Sequence, residues 1–307
     1  MSLADAAPDT ILADPAPPAA FYRRPLGERE VTIVSDGSYL ATIEARDMRN
    51  VPFEEYLAAL KSANLSTERV RRVFNPVAIR STRRTTLIDC GNSQFLSEST
   101  GQFAKNLRAS GIDPRSVDAI VFTHLHPDHI GGLYSRDREM VFPNAELKVP
   151  RKEWEYWFSD EQMLRAPDSS AWPSSLLSVA DMFPIIRRTF QDLHDRVTLT
   201  DDEQEVEPGI TAVSTYGHSE GHTSYVVESG GSALCVLGDV SANLVTTLRH
   251  PYWHAAADAD GPMAEAARRK IFEMLIAEDM PVSAYHFPFP GIGRIEREGD
   301  GYRLIPE

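Results

Sequence analysis

Thr123-His-Leu-His-Pro-Asp-His129 places three imidazoles and one carboxylate within the six positions 124–129. Packing does not ask for such a run, because His and Asp are poor core residues and clustered imidazoles repel once protonated. A divalent metal ion does ask for it, since neutral imidazole and carboxylate are among its preferred ligands. The apolar run Asp118-Ala-Ile-Val-Phe122 reads as a buried strand that leads straight into the motif. On an extended segment, His124 and His126 share a face and can reach one ion. Pro127 stops the strand. Asp128 and His129 then turn the other way, at the start of a short segment closed by Gly131-Gly132, which suits a second ion.

Two ions need about six or seven protein ligands, so later loops must contribute. His218 follows the strand-like run Ile210–Thr215, within Tyr216-Gly-His-Ser-Glu-Gly-His222. Asp239 follows the apolar run Ala233–Leu237, and His286 follows Val282–Tyr285. Each lies just past a β-type run, where polar side chains converge at one sheet edge.

Strands and helices around these loops follow from periodicity and turn signals. Val31–Ser35 and Tyr39–Ile43 around Asp36-Gly37 read as a hairpin, and Val77–Arg80 with Thr85–Asp89 as a second strand pair. Phe53–Leu60, Gly101–Ala109, Trp154–Phe158, Ser175–Phe183 and Met263–Ala277 read as helices, and Arg294–Arg297 as a late strand. This order predicts two packed sheets with helices outside and functional loops at one edge. Residues 1–20, with Pro8, Pro15, Pro17 and Pro18, read as a flexible arm that could pack on a second subunit, making a homodimer plausible. Residues 21–307 are expected to form a single hydrolase domain.

Lys plus Arg number 31 against 45 Asp plus Glu, a formal charge of −14, which disfavours a nucleic-acid partner. No apolar run approaches a membrane span, and the first 20 residues do not resemble a secretory signal, so a cytoplasmic protein is expected. An export segment absent from this sequence stays compatible with that reading. Cys90 and Cys235 lie in apolar runs and read as buried free thiols.

His124-Leu-His-Pro-Asp-His129, Gly217-His-Ser-Glu-Gly-His222, Gly238-Asp239 and the late His286 resemble the metallo-β-lactamase superfamily. Phe21-Tyr-Arg-Arg-Pro-Leu-Gly27, Val34-Ser-Asp-Gly37, Asp89-Cys-Gly91, Phe142-Pro-Asn-Ala145, Tyr225-Val-Val-Glu-Ser229, Phe289-Pro-Gly-Ile-Gly293 and Gly301-Tyr-Arg303 resemble, in the same order, its methyl parathion hydrolase-like group. The resemblance covers about residues 21–305. It implies an α/β (α+β) fold, an αββα four-layer sandwich, with a binuclear metal centre. By motif, His124, His126 and His218 would hold one ion, Asp128, His129 and His286 the other, and Asp239 both. His222 would stand behind the ligands or serve the fold. Asp89 would orient a ligand His, as the corresponding carboxylate does in similar proteins, or simply make the turn before Gly91. Zinc is the expected ion, and manganese, iron or cobalt also suit an all-N/O ligand set.

A water shared by two ions is a hydroxide at neutral pH, so the expected reaction is hydrolysis, with Asp239 bridging and Asp128 able to take the proton. Aromatics between the metal motifs suggest a substrate wall. Trp157 matches an aromatic pocket position of the resembling hydrolase, and Phe95 and Trp172 match more loosely, with core packing the competing reading for each ring. A small ester, lactone or phosphotriester is the expected substrate. The alternatives are a β-lactamase, against which Asp239 weighs by resemblance; another hydrolase of the superfamily, a nuclease being disfavoured by charge; and an inactive metal-stabilised binding module.

Overall fold

The computed structural model describes residues 19–92, 99–167 and 172–307. The first 18 residues of the expected arm, and Phe95, lie outside the described residues.

Two seven-stranded sheets face each other. The first runs, in spatial order, Phe21–Leu26, Arg29–Val34, Val77–Arg80, Thr85–Ile88, Ala119–Val121, Glu146–Pro150 and Val197–Thr200. Its last four strands are parallel. The second runs Glu205–Glu207, Ile210–Ser214, Thr223–Ser229, Ser232–Val236, Val282–Ser283, Ile292–Glu298 and Gly301–Pro306, with one parallel pair, Ser232–Val236 beside Val282–Ser283. Val31, Ile33, Val77, Ile79, Ile88 and Val121 of the first sheet pack on Ile210, Ala212, Tyr225, Val227, Leu234 and Val236 of the second. Alternate residues of each strand therefore face this inter-sheet core, and the others face a helix layer.

On the outer face of the first sheet, Phe103 and Leu107 of Phe103–Ala109 and Phe183, Ile186 and Phe190 of Val179–Phe190 cover Leu87, Ile120 and Leu147. On the second, Ile271, Phe272 and Leu275 of Gly261–Ala277 cover Cys235, Leu237 and Val282. The result is an αββα sandwich. Cys90 and Cys235 are both buried and free. Among the described residues, no helix is long and apolar enough to cross a membrane.

Two expectations are corrected. Val31–Ser35 and Tyr39–Ile43 do not form a hairpin. Arg29–Val34 pairs with Phe21–Leu26 and Val77–Arg80, while Ser38–Thr42 leaves the sheet to pair with Arg69–Val73. Asp36, buried between them, accepts backbone N–H groups from Asn92, Gly101 and Phe103, so the chain crosses over instead of folding back. The helix expected at Ser175–Phe183 runs Val179–Phe190 instead. The Ser178 hydroxyl caps it by accepting the Asp181 N–H, and its apolar face continues through Phe190.

Candidate metal centre

Loops leaving one edge of both sheets meet over the end of Ala119–Val121. The junction is closed by a backbone hydrogen bond from Thr223 N–H to the Thr123 carbonyl, 2.9 Å. His126 caps the short helix Pro127–Ile130, whose proline occupies the first turn where no N–H is needed. That turn separates His124 and His126 from Asp128 and His129.

Seven side chains from four loops converge as two groups. His124, His126 and His218 form one; Asp128, His129, Asp239 and His286 form the other, and within each the candidate ligand atoms lie within 4.8 Å of one another. His218 Nε2 is 3.1 Å from His126 Nδ1. Asp239 reaches into both groups. Its Oδ1 is 3.3 Å from His129 Nε2, and its Oδ2 is 3.0 Å from His286 Nε2 and 3.4 Å from His218 Nε2.

The donor set fits metal ions. His124 Nε2, His129 Nε2 and Asp239 Oδ1 are buried and make no hydrogen bond. Buried polar atoms without partners are costly, and three aimed into one space point to a common partner. Two ring nitrogens facing each other at 3.1 Å, as in His126 and His218, also suit a shared cation.

Groups behind the seven fix their orientation. Asp89 is held by the Thr123 N–H (2.8 Å) and hydroxyl (2.9 Å) and lies 2.8 Å from His129 Nδ1. That bond turns Nε2 of His129 to the centre. His286 Nδ1 donates to the Val73 carbonyl at 2.7 Å, which turns its Nε2 inward too. The Tyr285 ring stacks on His129 at 3.9 Å, and its hydroxyl donates to the Asp128 carbonyl oxygen. His222 belongs to neither group. Its Nε2 accepts the backbone N–H of Asp239 at 2.9 Å, and Nδ1 lies 2.9 Å from the Thr215 hydroxyl. It anchors the loop that carries Asp239.

Three positioning residues escape a sequence reading. Glu153, fully buried, accepts the Leu125 N–H (3.1 Å) and Trp157 indole N–H (2.9 Å) on one oxygen, and the Gly221 N–H (2.8 Å) and Ser219 hydroxyl on the other. It ties the first histidine loop to the loop of His218. Asp258 lies 3.3 Å from His218 Nδ1 and is itself paired with the fully buried Arg268 at 2.5 Å. Arg268 also donates to the carbonyls of Val240 and Trp253. Glu153 sits in Arg151-Lys-Glu-Trp-Glu and Arg268 in Ala-Arg-Arg-Lys, runs that read as solvated helix faces.

Among the protein groups alone, His124 and His126 are shifted in the opposite direction to His129 and His286. Burial, with His218 next to it, pushes His126 down to about 3. Burial, with His129 and His126 close by, also drives His124 well below the usual range. Burial works against the charged form of His286 too, but the Asp239 and Asp128 carboxylates overcome it and raise it to about 9. His129 is raised by Asp239, Asp89 and Asp128 against the same burial penalty. Asp239 and Asp128 are correspondingly held below the usual carboxylate range, against burial, by His286 and His129.

A cleft of about 280 Å³ opens beside His126 and His218, walled by Tyr156, Trp157, Trp172 and Val179. Trp157 and Trp172, the expected wall residues, both line it, and the Trp157 and His126 ring centres are 6.0 Å apart. Trp154, in contrast, stacks on Phe158 at 3.9 Å and belongs to the packing under the first sheet.

A layered αββα sandwich with two ligand groups at one sheet edge defines a class of metal-dependent hydrolases. Residues 73–286 match the metallo-beta-lactamase superfamily, and the chain belongs to that family. It is similar to the N-acyl homoserine lactonase AttM of Azorhizobium caulinodans, 33% identical over 123 residues, 39% of this chain and 40% of that protein. The alignments thus span two-fifths or less of the curated relatives they match. Among solved structures, the fold is similar to AidC, a dizinc quorum-quenching lactonase in complex with a product, with TM-score 0.86, 24% identity and coverage of 94% and 97% of the two chains. It is also similar to the hydrolase AbOPH of the beta-lactamase superfamily, with TM-score 0.83, 26% identity and coverage of 94% and 98%.

Proposed function

We propose that this protein is a binuclear metal-dependent hydrolase of small lactones and carboxylic esters. The observation that carries this reading is Asp239, whose two oxygens lie 3.3 Å and 3.4 Å from histidines of different groups, His129 and His218. His124, His126 and His218 would hold one ion, Asp128, His129 and His286 the second, and Asp239 both. Zinc suits this all-N/O set, as do manganese, iron and cobalt. Held by these residues, divalent ions would supply a water of lowered pKa and a Lewis acid for the substrate carbonyl.

The remaining work falls to the chain. Asp128 is ionised, and its side chain is 27% exposed against 5% for Asp239, so it faces incoming water. As the water oxygen bonds to the carbonyl carbon, Asp128 accepts its proton, then returns it to the departing alcohol oxygen as the ester C–O bond breaks. Tyr156, Trp157 and Trp172 receive the apolar part of the substrate and keep bulk water away from it. The lactone preference draws on the similarity to AttM and AidC. Phosphotriesters are the second reading, favoured by the ordered flanking segments that resemble the methyl parathion hydrolase-like group. The substrate is a small molecule, the expected compartment is the cytoplasm, and a homodimer is compatible with the N-terminal arm.

The test is turnover by zinc-reconstituted protein on N-hexanoyl homoserine lactone, 4-nitrophenyl butyrate and diethyl 4-nitrophenyl phosphate. Cleavage of the first two is expected. Zinc-loaded protein inert on all three overturns the reading in favour of a binding module.

A further inference from the structure

A second, larger cleft of about 640 Å³ opens beside His286 rather than beside His126 and His218. Several polar groups on its walls are already engaged. The Asn243 side-chain oxygen accepts the Val245 and Thr246 N–H groups, the Thr247 hydroxyl lies 2.9 Å from that of Ser241, and Arg71 donates to the Ser38 hydroxyl. Asp47 Oδ1 and Arg72 Nε, on the same walls, are both buried and make no hydrogen bond. The Tyr56 hydroxyl, close to Asp47, does not bond Oδ1 either. Burial pushes the Asp47 carboxyl up and the charge of Arg72 opposes that, yet no nitrogen of Arg72 comes within 4.0 Å of an Asp47 oxygen.

Both residues are held in place by other bonds. Asp47 Oδ2 accepts the Glu44 N–H at 2.9 Å, and the Asp47 carbonyl accepts the Ala256 N–H at 2.8 Å. Arg72 lies in Arg69–Val73, which pairs with Ser38–Thr42, and the next residue, Val73, supports His286. The cleft therefore offers, beside the metal centre, one fixed acceptor and one fixed donor of opposite charge. A buried donor or acceptor left unpaired is costly. The two charges offset each other, so the group that suits both is neutral: a carboxylate would meet Asp47, and an ammonium would meet Arg72. A ketone or an ester carbonyl answers only the donor. A secondary amide answers both, with N–H at one end and C=O at the other, and its dipole of about 3.5 D then lies along the field from Arg72 to Asp47.

We infer that Asp47 and Arg72 are specificity-determining residues that read an amide carried by the substrate away from the bond being cleaved. Asp47 Oδ1 accepts the amide N–H, and Arg72 Nε donates to the amide C=O. This inference rests on the ester and lactone hydrolase reading above, and deepens it by naming the group that sets substrate choice.

Two arms keep the failures apart. The first measures binding to zinc-loaded protein by calorimetry, with no bond cleaved. Its probes are N-cyclopentyl hexanamide, cyclopentylmethyl pentyl ketone, which has CH₂ in place of the N–H, and the alcohol made by reducing that ketone. The amide is expected to bind at least about tenfold tighter than the other two. In Asp47→Asn the side-chain oxygen keeps the Glu44 N–H and the NH₂ turns toward the probe, so the preference for amide over ketone should vanish. Arg72→Met removes the donor to the carbonyl that amide and ketone share, and should weaken both by a similar factor. Arg72→Gln, which keeps an N–H at that position, should regain part of the loss. The second arm compares kcat/KM on N-hexanoyl homoserine lactone and on its analogue with CH₂ in place of the N–H. Asp47→Asn should reduce the first about tenfold more than the second, through KM. Equal affinity for amide and ketone in the wild type, an alcohol bound as tightly as the amide, a preference unmoved by Asp47→Asn, or affinities unmoved by Arg72→Met overturns the inference. Selective amide binding without turnover of either lactone would uphold Asp47 and Arg72 and sink the hydrolase reading instead.

Discussion

Replacing Glu153 with Gln tests how the two histidine loops are held together. The carboxylate accepts four hydrogen bonds, two on each oxygen, in a fully buried position. An amide has one accepting oxygen. In the better orientation that oxygen keeps the Leu125 and Trp157 donors, and the NH₂ faces Ser219 and Gly221. The Ser219 hydroxyl can rotate to accept, but the Gly221 N–H cannot, and it is left facing another donor. Orphaning one buried donor and weakening three charge-assisted bonds costs about 2–4 kcal/mol. For a chain of this size that corresponds to a melting point lower by about 3–6 °C, read by circular dichroism on chelator-treated protein. Leu125 lies between His124 and His126, and Gly221 follows His218, so zinc affinity at those three histidines should fall about tenfold as well. Glu155 on the same helix is exposed and serves as the control, with Glu155→Gln expected to change neither quantity. A Glu153→Gln protein that melts within about 1 °C of wild type and binds zinc as tightly would refute the claim that this carboxylate ties the loops.

Asp239→Asn should cut zinc content from two per chain to one or fewer, measured by elemental analysis, and lower turnover by more than about a hundredfold, since the amide offers one oxygen donor to two groups. Arg268→Met leaves the Asp258 carboxylate buried and uncompensated, and should destabilise the protein by about 3–5 kcal/mol in urea unfolding while loosening His218. Metal loading should depend on pH through His129 and His286 and not through His124 and His126. In chelator-treated protein His286 holds its proton up to about 9, and His129 is raised too, so an ion entering that group displaces protons, and its affinity should climb between pH 6 and 9. His126, at about 3, and His124 are already neutral there, so equilibrium dialysis at limiting zinc should find about one equivalent at pH 6 and about two at pH 9. The same raised His286 contributes stability to stripped protein that is fully present below pH 6.5 and is lost as pH rises through about 9, visible as a falling melting point in alkaline buffer.

What could be read from the sequence was the chemistry that demands particular residue types at fixed spacing. His124, His126, Asp128 and His129 advertise themselves because metal coordination needs imidazole and carboxylate with little tolerance, and His218, Asp239 and His286 follow strand-like runs that end at one edge. The sandwich was legible from the alternation of strands and helices. What stayed hidden depends on long-range partners. Glu153, Asp258 and Arg268 look like ordinary charged surface residues, and only burial against distant loops reveals them. The false hairpin at Asp36-Gly37 has the same origin, because a local turn signal cannot show that Asp36 is claimed by three amides from 92–103. The resemblance names His218 rather than His222 as the ligand, but the physical reason for that choice is tertiary. Asp258 lies behind His218, whereas the His222 Nε2 is taken by a backbone amide.

The most direct test of a two-ion hydrolytic centre is a zinc titration of chelator-treated protein, with turnover of N-hexanoyl homoserine lactone recorded at each addition. Activity is expected to rise steeply with the second equivalent and to level off at two per chain. Full activity at one equivalent, or none at any zinc content, would contradict it.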